Sequence, residues 1–136
     1  DIPLRLVGSE MCIRDRYKGE KMRTLNDYFL TAEIEDISTA SSTFVAVPDG
    51  GKIIKIITAL QGAISGANAG LSFEIGGVAV TGGGITVAHS GSAAGTVDSS
   101  VPTALNRVEE DGTIEILTDG ASTGANKCLV TFVIRR

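Results

Sequence analysis

Tryptophan is absent from this chain, and it carries only two tyrosines, one histidine, two cysteines and three prolines. Each shortage removes a class of protein. Two cysteines cannot build a disulfide framework or a thiolate metal site, and Cys128 lies on the apolar side of an alternating run, where it reads as a small buried hydrophobe. A single histidine, His89, has no companions at ligand spacing, so a hydrogen-bonded residue at a strand end is expected and no metal site. With no Trp, and with Tyr17 and Tyr28 both expected outside the strands, an aromatic platform for sugar binding is hard to assemble. Lys52 and Lys55 interrupt the longest apolar stretch, which falls short of the roughly 18 residues that a membrane-spanning helix needs.

What is present points to a β-rich core. Seventeen glycines supply many turns, and the few aromatics leave an interior of Ile, Val, Leu and Ala. At 136 residues the chain is expected to hold one domain that buries roughly two thirds of its unfolded surface. Residues 1–21 look unlike the rest. They lack an initiator Met, Arg5 breaks their apolar piece, and SEMCIRDR (residues 9–16) resembles translated sequencing-adapter read-through. We therefore expect a non-native or disordered leader over 1–21 and a single domain over 22–136, which sets Cys12 aside. A basic arm made of Arg14, Arg16, Lys18, Lys21 and Arg23 is the functional alternative for this region. From Thr24 onward six Lys and Arg face twelve Asp and Glu, so the body is acidic and repels phosphate backbones. No stretch interleaves basic and aromatic residues as nucleic-acid binders do, and direct nucleic-acid binding is not expected.

The stretch 112–136 reads as two strands joined by a loop of small polar residues. In the last strand Cys128, Val130, Phe132 and Ile134 share one face and Leu129, Thr131, Val133 and Arg135 the other; both are largely apolar, which predicts a central strand. Residues 113–117 put Ile114 and Ile116 inward and are expected to be its hairpin partner, with 119–126 as an exposed tip. Upstream, 30–36 alternates with Leu30, Ala32 and Ile34 inward, and 43–47 forms a strand ended by the turn Pro48-Asp49-Gly50-Gly51. Residues 52–61 are ambiguous, since Ile53, Ile56, Ile57 and Leu60 also fit helical spacing, but the isoleucines favour a strand. Further strands are predicted at 71–75, at 78–81 after a Gly76-Gly77 turn, and at 85–89. Residues 90–100 read as a loop, 102–108 as one helical turn or an irregular edge, and 22–29 as a helical turn or docking arm with Leu25, Tyr28 and Phe29 at helical spacing.

No motif carries catalysis. Glu33 and Glu35 sit two apart on a strand, as the wet face of a sheet does. Gly82-Gly83-Gly84 lacks the Lys and hydroxyl residue of a phosphate loop, and Glu109-Glu110-Asp111 lacks the alternating oxygen ligands of a calcium loop. Gly120-Ala121-Ser122-Thr123-Gly124 fits a hydrolase elbow in letters only, because a strand follows it and no His lies downstream. About eight short strands with little helix predict an all-β antiparallel sandwich or jelly roll, with a closed barrel second.

With MRTLNDYF at its start, PDGGKI, the EIGGVAVTGG hairpin and the ending TIEILTDGASTGANKCLVTFVIRR, the body over 22–136 resembles small virion structural proteins of tailed marine bacteriophages, most of all capsid decoration or cement proteins. The resemblance implies a non-enzymatic β module located in the virion. Its implied partners are the major capsid protein or another virion protein and further copies of itself, commonly as a trimer. It implies no catalytic residue, cofactor or metal, and we name Arg23, Leu25, Tyr28 and Phe29 as interface candidates. A carbohydrate-binding β-sandwich, as in a phage fibre, is the alternative.

Overall fold

The computed structural model of the protein describes residues 27–136, and among these every regular element is a β-strand. In chain order they are β1 (Asp27–Ile34), β2 (Ser42–Ala46), β3 (Gly51–Leu60), β4 (Ala69–Ile75), β5 (Val78–Ala79), β6 (Ile85–Val87), β7 (Val97–Ser100), β8 (Arg107–Val108), β9 (Thr113–Thr118) and β10 (Cys128–Arg135). Two five-stranded antiparallel sheets result. One runs β1-β10-β3-β7 with β8 also on β3, the other β2-β9-β4-β5 with β6 also on β4. The expected all-β sandwich is what the chain forms, with ten strands where about eight were expected.

Alternation makes the two layers. Ile34, Ile53, Ile56, Leu60, Val130, Phe132 and Ile134 of the first sheet meet Leu71, Phe73, Ile85, Val87, Ile114 and Ile116 of the second, all buried. Phe73 and Phe132 join the layers edge to face, with centroids 5.6 Å apart and planes at 89°. β10 is central, as its two apolar faces require, between β1 and β3. Gly76 and Gly77, at φ 60° and 81°, make the tight β4–β5 turn that only residues free of a Cβ adopt easily.

Several expectations are corrected. β9 and β10 are not hairpin partners: β9 pairs with β2 and β4, while β10 lies in the opposite sheet, so residues 119–127 cross between layers. Residues 27–29 are the start of β1 and not part of a helical turn, because backbone pairing with Val133 to Arg135 overrides the local spacing. Tyr28 is accordingly a strand residue. Residues 97–100 of the supposed loop form β7, where Ile56 to Ala59 offer a ladder that small polar residues accept. β6 ends at Val87, leaving His89 beyond the strand, and 107–108 takes the edge alternative as β8.

Candidate functional site

Of the four nominated interface residues, Arg23 and Leu25 lie outside the described residues. Tyr28 and Phe29 are adjacent in β1 and so point to opposite sides. Tyr28 packs against the core, its hydroxyl donates to the Asp49 carbonyl, and Arg136 stacks over its ring at 5.1 Å. Desolvation and the Asp49 charge raise its pKa. Phe29 faces outward and is 58 % exposed, opposite Val133, which in turn faces Lys55.

The outward face of the first sheet carries an unusual row. In register across four strands stand Asp27, Arg135, Lys52 and Arg107, each opposite the next. Arg135 grips both oxygens of Asp27, at 2.8 and 3.1 Å, a geometry that favours its charged form. Lys52 is left between two arginines. Like charges placed directly opposite on one sheet face repel. Among the described residues the ion pairs are Asp27–Arg135, Glu33–Lys127 and Asp49–Arg136, so Lys52, Lys55 and Arg107 have no acid partner in a body with twice as many acids as bases.

Beside this row lies an open hollow of about 430 Å³, lined by Lys52, Ile75, Val78, Leu105, Asn106 and Arg107. One wall is the cationic β3–β8 pair and the other is the aliphatic end of the β4–β5 hairpin. Asn106 is buried at the base and donates to the Ile53 carbonyl at 2.6 Å, while Ile53 N–H donates to the Asn106 carbonyl. Leu105 next to it has φ 55°, a left-handed conformation that costs a leucine of the order of 1 kcal/mol, and it is 61 % exposed. The Thr81–Ala104 bridge and the Asn106 anchor hold it there from both sides. A second hollow, of about 420 Å³ around β4, β6 and β9, has Asp119 as its charged residue and no strained backbone.

On the opposite side of the sandwich, Phe44 of β2 is 64 % exposed and stands opposite Glu115, which stands opposite Glu74. His89 shares its Nδ1 with the Asn68 side chain at 2.8 Å. Ser122 is buried and its hydroxyl has no hydrogen-bond partner among the described residues, as is true of Asp98 Oδ2. Among the described residues no three His, Cys, Asp or Glu side chains gather as metal ligands would.

Reading the sequence missed Lys52, Leu105 and Arg107, because only the β3–β8 pairing unites residues 52 and 107. Phe44 was missed too, although alternation carries the signal: with Val45 and Val47 inward, Phe44 points out. No family model matches the chain, and no curated protein matches it.

Proposed function

We propose that this protein is a non-enzymatic structural component of a phage virion that decorates or stabilises the capsid surface through contacts with the major capsid protein or another virion protein, as a homo-oligomer. Support comes from the sequence resemblance and from one structural observation: the outward face of the β1-β10-β3 sheet presents exposed Phe29 and, across Val133, Lys55, with Lys52 on the same face, and neither lysine has an acid partner among the described residues. Such a mixture of an apolar anchor and charges that await a partner suits a protein interface. Binding in many copies lets a small module hold a shell by repetition. The test is co-sedimentation of the full chain with capsids of the phage that encodes it. Saturable pelleting at a fixed ratio to capsid subunits is expected, with a loss of at least tenfold in affinity on Phe29→Asp; no pelleting at any concentration would overturn the proposal.

A second function is favoured by Phe44 beside Glu115 and Glu74, a phenyl face next to hydrogen-bond acceptors, which is the kind of surface a sugar ring stacks on. Saturable glycan-array binding abolished by Phe44→Ala would establish that carbohydrate-binding role instead.

A further inference from the structure

We propose that the hollow at Lys52 and Arg107 binds an extended peptide segment of a partner protein in which carboxylate and aliphatic side chains alternate. The proposal rests on the reading above of a protein that works by contact, and it names the chemistry of what is contacted. An extended chain turns successive side chains to opposite sides. The hollow has two walls of matching kind, Lys52 and Arg107 on the β3–β8 side and Ile75 and Val78 on the hairpin side, with exposed Leu105 beside them. A segment laid between them directs carboxylates to one wall and aliphatic groups to the other.

Three features separate this from an ordinary solvated face. Lys52 and Arg107 lie opposite one another with no ion-pair partner among the described residues, a like-charge pairing that works against the fold. Leu105 is held exposed in a strained backbone by pairing on both sides. The hollow also falls at the seam between sheet edges, where added strands commonly dock. A nucleic acid is disfavoured by the acidic body and by the lack of any aromatic ring in the hollow on which a base could stack.

The experiment is an amide NMR titration of the ¹⁵N-labelled full chain with an end-blocked hexapeptide of alternating Leu and Glu. Parallel titrations use the same peptide with Lys for Glu, the same with Ser for Leu, and sodium octanoate. Saturable shifts at Lys52, Ile75, Leu105 and Arg107 are expected with the Leu-Glu peptide alone. Affinity should fall at least tenfold in the Lys52→Gln/Arg107→Gln variant and in the Leu105→Gly variant, both of which keep a dispersed spectrum. The proposal is overturned by an absence of saturable shifts, by equal binding to the variants, or by an equal response to the Lys peptide, the Ser peptide or octanoate. Broadening of these same amides with protein concentration alone would identify a second copy as the occupant and overturn it too. Capsid pelleting without peptide binding removes this inference and leaves the proposed function; peptide binding without pelleting does the reverse.

Discussion

Lys52 is the residue at which stability and the proposed contact oppose each other. Flanked by Arg135 and Arg107, it should be improved by losing its charge: Lys52→Gln is expected to raise the urea unfolding free energy by about 0.5 kcal/mol, with the gain shrinking in high salt. Gly51 beside it is fixed by space, not by backbone angle. A Cβ there would meet Ile134 Cγ2 at 2.7 Å and the Arg135 carbonyl at 2.8 Å, so Gly51→Ala should cost about 1–3 kcal/mol in the same assay. Cys128 behaves as its place in the alternation implied. Burial, aided by the Asp98 charge, pushes its thiol from 9.0 up to about 11. The folded protein therefore keeps a proton that the unfolded chain loses, so stability is full below pH 9 and declines as pH rises through 9 to 11; Cys128→Val should flatten that decline. At this scale the sequence told which side chains go in, and told little about which surface residues meet, since meeting depends on partners about 55 positions apart.

Among the elements, β3 shows why a strand can carry helical spacing. The register with β10 runs from Val133–Lys55 directly to Ile134–Ile53, so Ile54 is an extra residue, a β-bulge. The inward set is consequently Ile53, then Ile56, Thr58 and Leu60, and the single step of three mimics a helix. Deleting Ile54 keeps every inward residue inward, and the variant is expected to stay folded within about 1 kcal/mol of the parent, whereas deleting Ile57 reverses part of the strand and should abolish cooperative unfolding in urea. Strand existence was legible from alternation for β1, β4, β9 and β10, and for β3 only from its run of isoleucines. Pairing was not. β9 and β10 each bury an apolar face against the other's layer, and nothing local in 119–127 tells a hairpin loop from a crossing between sheets. β7 escaped notice because Asp98, Ser99 and Ser100 carry no strand propensity and rely on β3 for their ladder.

For the molecule as a whole, the decisive pairings are distant: β1 lies on β10, with Thr31 and Thr131 sharing a hydrogen bond across 100 residues. Their ordering entropy must be met before such contacts form, which predicts refolding on the millisecond-to-second scale typical of sandwiches, measurable by stopped-flow dilution from urea. The resulting sandwich has one side where Phe44 shares a row with Glu115 and Glu74 and another where Phe29 shares a row with Val133 and Lys55, a lysine with no acid partner among the described residues. The second is where we propose that contact with the virion is made. Its most direct test is capsid co-sedimentation of the parent chain against the Lys52→Gln/Arg107→Gln variant, both confirmed as folded. We expect the parent to pellet saturably and the variant to lose at least tenfold in affinity while gaining stability; equal pelleting of the two would contradict the account.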